Sequence, residues 1–218
     1  PFFADGQGLN PLLQNYWMTI HPPTLFLGFA STSIPFAYAI AGLWEKDYRG
    51  WITPALPWAY FGVGILGAGI LMGGAWAYEA LSFGGFWAWD PVENSSLVPW
   101  LVLVAGAHLM LINKNKKKPT ALFSTIYLTS LSFLLVLYST FLTKSGVLGD
   151  TSVHSFVDSG ILPQLLAYLL SFVLLAHTLL LGTSKRRLYH LASTGLVLMI
   201  LFVGEYGIAM LGFIVLQA

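Results

Sequence analysis

Five histidines and not one cysteine set the chemistry open to this 218-residue chain. Without thiols there is no disulfide, no thiolate metal site and no cysteine nucleophile, so any thiol reaction must use a partner's thiols. Imidazoles remain, and they serve as metal ligands as well as acid–base groups. His21 and His154 bracket a stretch, 73–101, that carries Trp76, Trp87, Trp89 and Trp100 and neither lysine nor arginine. Flat aromatic surfaces cradle flat cofactors, and Trp also collects where a membrane meets water. Two imidazoles beside an aromatic platform are what axial ligation of a haem iron requires.

His21 lies in Ile20-His21-Pro22-Pro23. Two prolines stiffen the chain and cannot continue a helix from the histidine side, which predicts His21 on a rigid tether just before the first membrane span. His154 lies in Ser152-Val153-His154-Ser155-Phe156, a few residues before the fifth span. Each alone reads as a surface histidine; together, on the face of the tryptophans, they form a candidate axial pair. The tryptophans have two readings, an interfacial belt or a ligand platform. Gly84-Gly85 permits a tight turn with close backbone approach, and Trp87 and Trp89 share one face if the segment is extended. Asp90-Pro91-Val92-Glu93 has the form of a helix start, with Asp90 as N-cap, Pro91 in the first turn and Glu93 closing a capping box. The other reading of Asp90 and Glu93 is that they orient a ligand's hydrogen bonds.

The elements that must position these residues are membrane spans. The chain is 56% hydrophobic and 9% charged, where a soluble domain carries about 25% charged residues. A net charge of +1 argues against a nucleic-acid role. The fold class is therefore all-α, a polytopic integral membrane helix bundle of about six spans. The spans are read at 24–43, 55–78, 97–112, 121–142, 161–182 and 188–216, the third short and the sixth interrupted by Gly204, Glu205 and Gly207. Loops 44–54, 113–120 and 183–187 hold the basic residues, among them Lys114, Lys116, Lys117 and Lys118. Segments 1–23, 79–96 and 143–160 hold Lys144 alone. Basic loops stay cytoplasmic, which places His21, the tryptophan loop and His154 on the periplasmic side.

The whole chain, 1–218, is read as a single membrane domain: lead-in 1–23, two spans within 24–78, the aromatic loop 79–96, two spans within 97–142, the His154 loop 143–160 and the last spans within 161–218. It opens on Pro1 with nothing like a signal peptide, and reads as a fragment, a processed product or part of something longer.

Ionisable residues inside spans are functional hypotheses by default. His108, five residues before Asn113, sits roughly 7 Å inside the cytoplasmic end of its span. His177 and His190 lie at comparable depth near the same side, so His108 with His190 or His177 would meet the need of a bis-histidine haem b. For His177 the alternative is a hydrogen bond between helices. Glu205 has no evident partner. The glycines of the second span, Gly69 and Gly73 among them, have the small-residue spacing of close helix packing, compatible also with room for a macrocycle.

At this point the residues resemble a known family. The stretch GGFWAWDPVENSSLVPWL resembles the WWD motif of the haem-handling superfamily that includes the CcmF, CcmC and CcsA families of cytochrome c maturation. The form WDPVEN rather than WDPKE favours CcmF over CcsA. Residues 5–14, DGQGLNPLLQ, followed by His21-Pro22-Pro23, resemble the family's approach to its first outer histidine. Thr143-Lys144-Ser145-Gly146-Val147-Leu148 followed by Ser152-Val153-His154-Ser155-Phe156 resembles the region of the second, and Ala107-His108 follows the motif at the distance of the membrane haem ligand.

The resemblance implies a haem lyase of the bacterial inner membrane or its mitochondrial or plastid equivalent. Haem, the substrate, arrives from a chaperone of the CcmE type and is joined by thioether bonds to the CXXCH thiols of apocytochrome c. His21 and His154 would be its axial ligands, with Trp76, Trp87, Trp89, Asp90 and Trp100 as its platform. His108 would be one ligand of a permanent haem b; the family's second ligand would lie in a region this chain lacks or correspond to His190, with His177 the other candidate by depth. Other cytochrome c maturation subunits and the lipid bilayer are the remaining partners; nucleic acid is not. Family members are longer, with more spans and a large soluble outer domain. Two other readings stay open: a non-catalytic module that loads haem onto the chaperone, and a membrane cytochrome b devoted to electron transfer.

Overall fold

The computed structural model describes residues 8–80, 85–152, 154 and 160–180. Among these residues the protein is helical: α1 (Tyr16–Ser31), α2 (Ser33–Glu45), α3 (Ile52–Ala80), α4 (Pro91–Asn115), α5 (Leu122–Lys144) and α6 (Leu162–Leu180), with short 3-10 turns at Pro11–Leu13 and Gly149–Thr151. Among the described residues five stretches are long and apolar enough to cross a membrane, α1 and α2 together forming the first of them, Tyr16–Glu45. The bundle is thus the polytopic membrane architecture that the hydropathy requires. The expected sixth span, 188–216, lies outside the described residues, and His190 and Glu205 with it.

Two boundaries depart from expectation, each for a local reason. The third span, read as 97–112, begins at Pro91 and runs 25 residues, about 37 Å at 1.5 Å per residue. The Asp90 capping box starts the helix early. Pro99 lies inside it and is buried. The first span begins at Tyr16, capped by the Asn15 side chain, and continues through Pro22 and Pro23. The two prolines therefore do not end the helix at His21; they deprive the Met18 and Thr19 carbonyls of their intrahelical partners. His21 sits in the second turn of α1 and not on a tether ahead of it.

The break between α1 and α2 falls at Thr32. Pro35 cannot donate to the Ser31 carbonyl, which interrupts the ladder there. Three hydroxyls bond backward around the break: Ser31, Thr32 and Ser33 donate to the carbonyls of Gly28, Phe29 and Ala30, each at 2.7 Å.

α3 is the central element, packed on α1, α2 and α4, while α5 joins α4, α2 and α6. The apolar core gathers toward one end. Leu43, Ile52, Ala55, Leu56, Leu103, Met110, Ile126 and Leu179 belong to one buried cluster. At that end loops 44–54 and 113–120 meet, with an Arg49 guanidinium nitrogen donating to the Lys116 carbonyl at 2.6 Å. Buried Asn113 ties α4 to α5: its amide donates to Thr125 Oγ1 at 2.8 Å and its carbonyl oxygen accepts from the Thr120 N–H at 2.9 Å. The other end is hollow.

Candidate functional site

The hollow end is a cavity of about 340 Å³, walled by α1, α3, the N-terminal turns of α4, the end of α5 and the turn that carries His154. His21, Trp76, Trp87 and His154 all line it. Apolar side chains, Leu25, Phe26, Phe29 and Ile70, make much of the remaining wall, and Glu93 and Lys144 bring one charge of each sign to it.

His21 is aimed by α3. Its Nδ1 stands 2.8 Å from the Gly69 carbonyl oxygen. A Cβ at Gly73 would fall 2.6 Å from His21 Cε1, so a side chain there would fill the place of the ring. A Cβ at Gly69 would fall 2.8 Å from Leu25 Cα, which shows how closely α1 crosses α3. The close-packing reading of these two glycines holds. Trp76, one turn above Gly73, has its ring centroid 6.0 Å from that of His21 and donates its indole N–H to the Leu12 carbonyl at 3.2 Å.

His154 is aimed by Asp90. Its Nδ1 lies 3.3 Å from Asp90 Oδ1. Ser152 bridges the same two residues, its hydroxyl donating to Asp90 Oδ1 at 2.8 Å and accepting from the His154 N–H at 3.1 Å. Asp90 Oδ1 also accepts from the Val92 N–H at 2.8 Å, the N-cap bond of α4. Glu93 completes the capping box, its Oε2 accepting from the N–H groups of Ala88 (3.0 Å) and Asp90 (3.3 Å). The capping reading of Asp90 holds, and the same carboxylate also meets His154, a contact not expected from the sequence. Ser152, Gly69 and Leu12 carry no signal of this in the sequence, except that a serine two residues before His154 suits a local hydroxyl turn.

In both histidines a proton on Nδ1 satisfies the observed partner, and that tautomer puts the lone pair on Nε2. An apolar cavity lined by two imidazoles and two indoles could hold a flat macrocycle, with His21 and His154 as candidate ligands.

The aromatic loop is not a regular extended strand. Trp89 has φ 57°, a left-handed conformation that a bulky residue rarely adopts. It is 72% exposed, while Trp87 lines the cavity; the two rings still meet edge to face with centroids 6.4 Å apart. Trp100 stands apart from the cavity. Its indole donates to the Val63 carbonyl at 2.9 Å and lies against Gly67, which makes it a strut between α3 and α4.

Toward the opposite end, His108 is exposed on the surface of α4, with its Nδ1 2.7 Å from the Val104 carbonyl one turn back. His177 lines a separate groove of about 330 Å³ between α5 and α6, with Tyr127, Ser130 and Tyr138; His108 does not line it. No cluster of three or more metal-binding side chains occurs among the described residues.

Comparison with known proteins follows the same residues. The family described as cytochrome C assembly protein matches residues 1–148. The cytochrome c-type biogenesis protein CcmF of Pseudomonas aeruginosa is 41% identical over 172 residues, covering 78% of this chain and 25% of its own length. CcmF of Escherichia coli is 39% identical over 178 residues, covering 80% and 26%. The biogenesis protein CycK of Bradyrhizobium diazoefficiens is 44% identical over 153 residues, covering 70% and 23%. A solved structure named cytochrome c heme lyase CcmF superposes with a TM-score of 0.63 at 30% identity, covering 88% of this chain and 31% of that one. The chain thus spans about a quarter of the length of the curated relatives it matches.

Proposed function

This chain belongs to the cytochrome C assembly protein family, and from that premise we propose that it forms the haem-holding part of a CcmF-type haem lyase. Its substrates are haem, delivered by a chaperone of the CcmE type, and the CXXCH segment of apocytochrome c. Each thioether forms by addition of a thiol S–H across a haem vinyl group, so the reacting sulfur comes from the cytochrome and this cysteine-free chain supplies none.

His21 and His154 are the axial ligands in this reading, and Trp76 and Trp87 the walls. One observation carries it: two histidines from distant segments line a single apolar cavity with two tryptophans, each ring engaged through Nδ1. What the chain contributes is position. Holding the reacting groups at near-attack distance is worth on the order of 7 kcal/mol or more of barrier. The apolar wall excludes water, and the cytochrome's own histidine replaces one of the two ligands when the product leaves. The basic residues of loops 44–54 and 113–120 at the far end support a cytoplasmic placement for that end and a periplasmic one for the cavity.

His108 is the candidate ligand of a resident haem b, which would supply electrons that keep the substrate haem reduced. An exposed imidazole on the outward surface of α4 suits that role if a second helix covers it. His177, in its own groove, is a poor partner. The second ligand is then His190 or a residue of the further length that the relatives possess.

The test is a reconstituted reaction. The chain, with the other cytochrome c maturation subunits, a haem-loaded chaperone and reduced apocytochrome c, should give a cytochrome whose haem survives acid–acetone extraction; His21→Ala and His154→Ala should each abolish it. Haem passing to or from the chaperone with no covalent product would assign the chain to transfer alone.

A further inference from the structure

We propose that Asp90 makes His154 the retained axial ligand of the outer site and leaves His21 as the ligand that exchanges. The inference rests on the haem-holding reading above. It begins from an inequality between two imidazoles that the sequence presents as equivalents.

Both rings are held through Nδ1, by different partners. His21 meets a neutral backbone carbonyl, that of Gly69. His154 meets a carboxylate, that of Asp90, which is 9% exposed. A carboxylate on the distal nitrogen draws the proton toward itself, raises the basicity of the ring and strengthens the bond from the other nitrogen to a metal. A peptide carbonyl does this less. The Asp90 carboxylate cannot turn away, because the Val92 N–H and the Ser152 hydroxyl hold the same oxygen at 2.8 Å each. Ser152 also fixes the His154 backbone. The partner that makes His154 the stronger ligand is therefore built into the start of α4. The weaker one, His21, is placed well by α1 and α3 but polarised little, and an imidazole arriving on a substrate peptide displaces it first.

Asp90 is thus a positioning residue that acts through His154. The test uses the full chain in detergent, titrated with hemin, in the wild type and in His21→Ala and His154→Ala, each with and without Asp90→Asn. Asparagine keeps an oxygen for the Val92 N–H, so the N-cap survives while the charge is lost. In the His21→Ala background, Asp90→Asn should weaken hemin binding about 10- to 100-fold and raise the midpoint potential. In the His154→Ala background it should change neither. Asp90→Ser, which caps the helix but is too short to reach the imidazole, should behave as Asp90→Asn or more severely. Wild type saturated with free imidazole should show the potential of His21→Ala plus imidazole. Equal loss in both backgrounds would overturn the proposal, since Asp90 would then act through the helix alone. So would an imidazole-saturated wild type matching His154→Ala. A wild type that never shows a bis-imidazole haem spectrum overturns the haem reading itself, and this assignment with it.

Discussion

The imidazole of His21 on α1 stands 2.8 Å from the backbone carbonyl of Gly69 on α3, so a ligand borne by one helix is aimed by another. The glycine one turn further on is what makes room for it. Gly73→Ala would set a methyl group 2.6 Å from His21 Cε1. Overpacking of this kind costs about 1–3 kcal/mol of stability. The displaced ring should also weaken hemin binding by about tenfold, in the range seen when a ligand loses its supporting contacts. Thermal unfolding and a hemin titration of the same variant measure both.

Trp100 and Trp87 should separate cleanly. Trp100→Phe removes the indole N–H that reaches the Val63 carbonyl, at a cost of about 1 kcal/mol. It should leave the hemin spectrum as it was, because Trp100 does not line the cavity. Trp87→Ala removes a cavity wall and should lower hemin affinity with little change in unfolding temperature. The opposite pattern would return Trp100 to the platform.

His108→Ala removes an exposed side chain, and substitutions at such positions shift stability by no more than about 0.5 kcal/mol. Hemin binding at the outer cavity should be unchanged. In the assembled maturation complex the same variant should lose the b-type absorbance of the membrane haem. Retention of that band would remove His108 from its ligand set.

Asp47 gives the α2–α3 turn a pH dependence. Its carboxylate accepts from the N–H of Gly50 at 2.7 Å and of Arg49 at 3.2 Å, and these bonds hold its pKa below the ordinary carboxylate value. A depressed folded pKa contributes stability that is present above the unfolded value, 3.8, and is lost as pH falls through the folded one. Amide exchange at Gly50, corrected for intrinsic rates, should accelerate as the medium is taken below that value. Asp47→Ala should exchange fast throughout, with no such step.

Much of the frame was legible in the sequence, and the exceptions are physical. Spans could be read because a bilayer demands long apolar runs whatever their neighbours. The Asp90-Pro91-Glu93 helix start could be read because capping is local in sequence. His21 was misplaced by a local rule, that paired prolines stop a helix. Packing of α1 on the glycines of α3 accompanies a helix that runs through Pro22 and Pro23. The partnership of Asp90 with His154 spans 64 positions, and no periodicity encodes a contact of that kind. Trp100 looked like its neighbours because composition cannot tell an indole facing a ligand from one wedged between helices.

The buried cluster lies near the basic loops and the cavity lies at the other end. Folding and ligand choice are therefore answerable to largely different residues, with Gly73 and the Asp90–Glu93 cap serving both. Away from Gly73 and the Asp90–Glu93 cap, side chains on the cavity wall can vary at little cost to the bundle, while the inner half is constrained by packing. A chain organised in this way can be re-tuned for another macrocycle or another peptide by editing one end, and a screen confined to that end should return many stable variants with altered binding.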